Sequence, residues 1–166
     1  LRGLGINDIT ILNRAVSFTG DKGTMYRVNY CCRTALSVLL HISGFRIESK
    51  DDLYRRCTET DWSSFMVADS TFSVNPVVNS RIFSHTAYPA LVVKDAIADH
   101  FRKKSGRRPG VDTGDPDVIV NVHISNDNVD ISLDSSGDAL YKRGYRTAAG
   151  IAPLNEVLAA GILKLS

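Results

Sequence analysis

The chain has 166 residues, 43% of them hydrophobic and 23% charged, which is enough apolar material for a real core in one domain or two small ones and too much for a disordered tract. A formal net charge of +2 does not by itself announce a nucleic-acid partner, so an electrostatic argument must rest on where the charge sits. The distribution is uneven: residues 94–108 hold Lys94, Arg102, Lys103, Lys104, Arg107 and Arg108 against Asp95 and Asp99, a local +4 that leaves −2 for the remainder.

In chain order, Leu1-Arg2-Gly3-Leu4-Gly5 opens without an initiator methionine, which suggests a fragment; there is no secretory leader and no apolar run long enough to span a bilayer. Ile9 to Phe18 reads as a strand, and Gly20-Asp21 turns it into a helix over 21–32 with Met25, Val28 and Cys32 on one side. A second strand is predicted from about Thr34 to Ile47. Ser49 followed by Asp51 and Asp52 marks a helix start, because a hydroxyl can cap free amides and acids complement the positive end of the dipole; this helix should end near Thr58. Asp61-Trp62-Ser63-Ser64-Phe65 reads as a turn or short helix with its aromatics packed inward, and Thr71 to Val74 as a short strand cut off by Pro76.

Arg81 to Tyr88 has no clear pattern, but from Pro89 onward Leu91 or Val92, Val93, Ala96, Ile97 and Phe101 recur at helical spacing until Gly106. Arg102, Lys103 and Lys104 then sit where cations compensate a helix C-terminus, whereas Arg107 and Arg108 lie beyond it, before the Pro109-Gly110 turn, in a place that suits a phosphate-facing loop. Val118 to Ile124 is apolar at most positions on both faces and should be a central strand, joined through residues 125–128 to a strand in which Val129, Ile131 and Leu133 alternate with Asp130, Ser132 and Asp134. Ser135-Ser136-Gly137 stops that strand. The following Tyr141-Lys142-Arg143-Gly144-Tyr145-Arg146 suits stacking on bases and gripping phosphates, or is an ordinary charged surface loop. A last helix, from Pro153 to Leu165, sets Leu154, Val157, Leu158, Ile162 and Leu165 on one face, with Gly161 for close approach; that stripe needs a partner, and self-association is the expectation.

The search for chemistry is largely negative. Cys31, Cys32 and Cys57 form no metal or redox spacing and fit a reducing cytosol, and His41, His85, His100 and His123 are scattered without a ligand pattern, so no metal is implied. No glycine-rich phosphate loop and no nucleophile elbow is present, and the carboxylates attach to helix starts and turns.

Several segments carry a resemblance beyond composition. Asp134-Ser135-Ser136-Gly137-Asp138, Leu140 to Arg146 and Ile151-Ala152-Pro153-Leu154-Asn155-Glu156 resemble the junction region of THUMP-containing RNA methyltransferases of the RlmL type. Upstream, Val93 to Ile97, Arg108-Pro109, Val111-Asp112, Asp115-Pro116-Asp117 and Val120-Asn121-Val122 resemble that family's THUMP segment in order. Val16-Ser17-Phe18 with Gly20-Asp21, and Asn29-Tyr30-Cys31 with Arg33-Thr34-Ala35, resemble its N-terminal region.

The resemblance implies an α+β architecture: a truncated ferredoxin-like part at 1–47 interleaved with a THUMP domain at 24–136, then at 137–166 a linker and the lead-in helix of an absent Rossmann-like methyltransferase domain. It implies a cytoplasmic parent enzyme that methylates the exocyclic amine of a guanine in 23S rRNA with S-adenosylmethionine, whose cofactor loop and Asn-Pro-Pro-type motif would follow Ser166. The chain itself would hold no cofactor and no catalytic residue. It would bind and position RNA through Lys94, Arg102, Lys103, Lys104, Arg107, Arg108, Lys142, Arg143, Tyr145 and Arg146. A tRNA- or DNA-modifying parent, or a protein-interaction module without catalysis, are the competing readings.

Overall fold

The computed structural model describes residues 1–146, 148 and 152–166; Ile151 of the family-like segment lies outside them. The chain divides into two compact units: a central one, Leu39–Asp134, and a flanking one made of Leu1–Val38 with Ser135–Ser166.

In the flanking unit, β1 (Ile9–Leu12) and β2 (Ala15–Phe18) form an antiparallel hairpin pairing Ile9 with Phe18 and Leu12 with Ala15. The single strand expected over Ile9–Phe18 is therefore two, because the chain reverses at Arg14, whose φ of 59° is the left-handed conformation of a tight hairpin turn. α1 (Lys22–Cys31) follows, with the Asp21 carboxylate accepting the Thr24 amide at its N-terminus. Val28 is buried with Ile6, Val38 and Leu140, and this small cluster is the unit's core. Ser135 and Ser136 do more than end a strand: Ser136 Oγ accepts the Val38 amide at 2.7 Å, Ser135 Oγ donates to the Val38 carbonyl at 2.7 Å, and Asn29 Nδ2 donates to Ser135 Oγ at 2.9 Å. The final helix, α4, runs over Glu156–Leu165, later than expected, because Asn155 caps it by accepting the amides of Val157 and Leu158. Pro153 stands before the cap rather than inside the first turn.

The central unit is a five-stranded sheet in the order β3-β7-β6-β4-β5, formed by β3 (Leu39–Arg46), β4 (Thr71–Asn79), β5 (Gly110–Val111), β6 (Val118–Ser125) and β7 (Asn128–Asp134). β4 runs parallel to β5 and β6, and the β6–β7 and β7–β3 pairs are antiparallel. The strand predicted from Thr34 begins only at Leu39. β4 continues through Pro76 to Asn79: β5 pairs only with Thr71 and Phe72, so beyond them β4 has an open edge where a missing amide costs no ladder bond. α2 (Lys50–Glu59) starts as the sequence indicates, with Ser49 and Asp52 in a reciprocal capping box. α3 (Ala87–Ser105) begins two residues before Pro89 and ends at Gly106, whose φ of 71° is the left-handed C-terminal stop. β6 is central as expected, but only Val120, Val122 and Ile124 are buried, with Leu53 and Cys57 of α2, Val93, Ile97 and Phe101 of α3, and Trp62 of the short 3₁₀ turn Trp62–Ser64. Its other face is polar, and there His41 Nε2 and His123 Nδ1 flank the Asp130 carboxylate at 3.5 and 4.0 Å.

Candidate nucleic-acid interface

The ten residues expected to contact RNA fall into two sets, six on the central unit and four on the flanking unit. On the central unit, Lys94 in the first half of α3, the C-terminal turn of that helix and the loop after it display the cations, but half of them are matched. Arg102 donates to Asp99 at 2.9 Å, Lys104 lies 3.9 Å from Asp61, and Arg107 pairs with Asp69. Lys94, Lys103 and Arg108 have no ion-pair or hydrogen-bond partner among the described residues. The unit as a whole holds eleven Lys and Arg against fourteen Asp and Glu, a net −3. Its basic end is therefore a local feature on an acidic body.

The flanking unit has the opposite balance, nine Lys and Arg against four Asp and Glu, a net +5. Its most basic stretch is held in place by Arg143. That guanidinium donates to the carbonyls of Tyr30 at 2.7 Å, Asn29 at 2.8 Å and Cys32 at 2.9 Å, and to Leu140 at 2.8 Å. The last carbonyls of α1 have no partner within the helix, and a planar five-donor fork satisfies several at once. Arg143, expected to grip phosphate, is thus a C-terminal cap for α1. Arg146 is similarly engaged, donating to the Leu154 carbonyl at 2.7 Å and lying 3.1 Å from Glu156. Lys142 pairs with Asp138 at 3.2 Å across an exposed turn. Tyr145 is 70% exposed, and Arg33 donates to its hydroxyl at 3.4 Å with the guanidinium 5.5 Å from the ring centroid. That hydrogen bond favours the phenolate, moving Tyr145 below the usual phenol range, and raises Arg33.

Three further exposed side chains, Tyr26, Tyr30 and Arg33, were not expected as contact residues from the sequence, Tyr30 and Arg33 figuring there only in the family resemblance. The signal was available, since Tyr26 and Tyr30 are four residues apart on a helix whose inward face is marked by Met25, Val28 and Cys32.

Burial pushes the Cys57 thiol up to about 12, so it stays a packed thiol. His100 Nε2 meets both the Ser63 hydroxyl at 2.9 Å and Asp61 at 3.8 Å, so the same ring nitrogen faces both groups and no relay is formed. Among the described residues, no group of three or more His, Cys, Asp or Glu gathers to hold a metal ion, and no helix is long and apolar enough to cross a membrane.

One unit is a mixed sheet backed by two helices and the other a basic α/β unit built from both ends of the chain, which together make an α+β chain. Residues 48–134 match the THUMP domain model and residues 1–39 the RlmL ferredoxin-like domain model, so the chain belongs to the THUMP-domain family. It is 39% identical, over 98% of its length, to the ribosomal RNA large subunit methyltransferase K/L of Syntrophotalea carbinolica, of which it covers 23%. Among solved structures it superposes with a TM-score of 0.85 at 29% identity on a predicted N6-adenine-specific DNA methylase from Listeria monocytogenes, covering 99% of this chain and 43% of that one. A methyltransferase solved in complex with SAH aligns at a TM-score of 0.83 and 25% identity, over 99% of this chain and 44% of that one. The chain thus spans about a quarter to less than half the length of the relatives it matches.

Proposed function

We propose that this chain is the RNA-binding portion of an S-adenosylmethionine-dependent methyltransferase that modifies large-subunit rRNA in the cytoplasm, at the N2 amine of a guanine. Its role is to bind and position RNA for a catalytic domain of the kind the longer relatives have room for, with the domain bounds as given above. The observation that carries this reading is the likeness to a K/L methyltransferase along nearly the whole chain, through both the THUMP and the ferredoxin-like segments. The unpartnered Lys94, Lys103 and Arg108, and the net +5 of the flanking unit, supply the charge that phosphate contact needs.

The test is titration of a structured rRNA hairpin by fluorescence anisotropy across salt concentrations. If about four to six phosphates are contacted, the logarithm of affinity falls against that of salt with a slope of roughly −3 to −5. Lys103→Glu with Arg108→Glu should reduce both affinity and slope without altering the melting curve. Salt-independent affinity, or none, leaves the protein-interaction reading instead.

The apolar face of α4 belongs to the same proposal. Leu158, Ile162 and Leu165 are 55, 52 and 91% exposed, and with Thr34, Leu36 and Gly161 they line an open groove of about 540 Å³. A second copy suits it: α4 carries only Glu156 and Lys164 as charges, and Glu156 is already paired with Arg146, so the exposed stripe is almost wholly apolar, as a self-complementary helix face requires. Sedimentation of Ile162→Glu should then report a monomer where the unaltered chain self-associates.

A further inference from the structure

The exposed aromatic side chains of the flanking unit are concentrated along α1 and at its C-terminal end. Tyr26 is 66% exposed, Tyr30 80% and Tyr145 70%, a wasteful arrangement for rings that normally bury their faces. Tyr26 and Tyr30 stand one turn apart on the same side of α1. Tyr145 is brought to that helix's end by Arg143, whose bonds to the carbonyls of Asn29, Tyr30 and Cys32 fix residues 141–146 there. Arg33 completes the surface, lying over the Tyr145 ring and within electrostatic reach of Tyr30.

We infer that Tyr26, Tyr30, Arg33 and Tyr145 form a stacking platform for unpaired bases of a single-stranded RNA segment. This rests on the RNA-binding reading above and gives it a site on the flanking unit, outside the segment that matches the THUMP model. Two features select this occupant over a protein. The platform offers flat rings and a guanidinium plane, surfaces on which any base can stack regardless of sequence. The charge around it is predominantly positive: α1 bears Lys22 and Arg27 with no acid between Lys22 and Cys31, against Asp21 at its N-cap, and the unit's net +5 attracts a polyanion. Arg143 is a positioning residue in this arrangement, since it holds Tyr145 beside the helix and is itself fully engaged with carbonyls.

The experiment compares the whole chain with Tyr30→Ala/Tyr145→Ala and with Tyr30→Phe/Tyr145→Phe, using a labelled twelve-nucleotide single-stranded RNA of mixed sequence and the same sequence closed into a duplex. Removing two stacking partners should weaken single-strand binding by roughly thirtyfold or more. The phenylalanine pair should stay within about twofold of the unaltered chain, because stacking needs the ring and not the hydroxyl. Duplex affinity and the salt slope should not move, since duplex bases are already stacked and no phosphate contact is lost. The substituted side chains are solvent-facing, so the thermal transition should also hold. If the unaltered chain binds the single strand and the alanine pair binds it equally well, the platform is wrong while the RNA reading stands. If the alanine pair weakens duplex as much as single strand, the tyrosines contact backbone and the platform is again wrong. If the unaltered chain binds neither RNA, the functional reading falls and the platform with it.

Discussion

The central and flanking units solve opposite problems. The central unit leaves Trp62, Phe72, Leu53, Ile97 and Ile131 with no exposed surface and carries −3, whereas the core of the flanking unit is four residues, Ile6, Val28, Val38 and Leu140, in a body carrying +5. A dense apolar core supplies stability that does not depend on surface charge, so its surface can be acidic and its pairs mostly internal. The flanking unit has little core to rely on and is held by directed bonds, the two serines on Val38 and the Arg143 fork on α1. Shape is thus carried by the segment that matches the THUMP model, and net attraction for a polyanion by the segments before and after it.

The largest effect should come from the denser core. Trp62 is fully buried and its indole N–H donates to the Cys57 carbonyl at 2.8 Å, so Trp62→Ala opens a cavity and leaves that carbonyl with only the longer bond from the Thr60 amide at 3.3 Å. The loss should be about 3–5 kcal/mol in chemical denaturation. Val28→Ala, in the smaller core, removes two methyl groups and should cost about 2 kcal/mol. Equal losses at the two sites would erase the distinction drawn between the units.

Arg143→Ala tests whether directed bonds hold the flanking unit. Four charge-assisted hydrogen bonds end on carbonyls, and the loss should be about 2 kcal/mol, with faster hydrogen exchange in the last turn of α1. Arg143→Lys should not restore it, because one ammonium cannot span carbonyls that a planar fork reaches together. Unchanged exchange in α1 would mean the small core alone suffices.

Local signals were legible in the sequence wherever one short stretch sets the structure. Ser49 with Asp52 announced α2, Gly106 ended α3, and Val118 to Ile124 declared the middle of the sheet. Errors arose where two local signals compete. Alternation from Ile9 to Phe18 is the same in one long strand as in two arms of a hairpin, and Pro153 outweighed Asn155 although the asparagine side chain makes the cap. Pro76 misled because its tolerance depends on which strand lies beside it. At the candidate interface the cations could be read, but not their partners. Arg107 meets Asp69, and Arg143 meets Asn29, Tyr30 and Cys32, across separations in the chain that only the tertiary fold closes.

The smallest effect concerns acid, and it also separates the units. The Asp52 carboxylate receives the Arg55 guanidinium at 2.6 Å, the amides of Glu48 and Ser49 at 3.0 Å each, and the Ser49 hydroxyl at 3.1 Å. These contacts, Arg55 foremost, lower it from the usual 3.8 to about 2. The folded state then resists protonation where the unfolded chain accepts it, so the contribution is complete above pH 3.8 and disappears as the pH falls to about 2. Asp61, Asp117 and Asp127 are lowered as well, by Ser64, by the Thr71 amide and by Arg46 respectively, and all three lie in the central unit; among the described residues, Asp21 is the one lowered carboxylate of the flanking unit. Acid below pH 3.8 should therefore weaken the central unit more than the flanking one. Ser49→Ala should cost about 1 kcal/mol at pH 7 through the lost cap, and Asp52→Asn should flatten the acid limb below pH 3.8 in melts followed by Trp62 fluorescence. If the acid limb persists unchanged in Asp52→Asn, the other three carboxylates carry it, and their substitution one at a time identifies which.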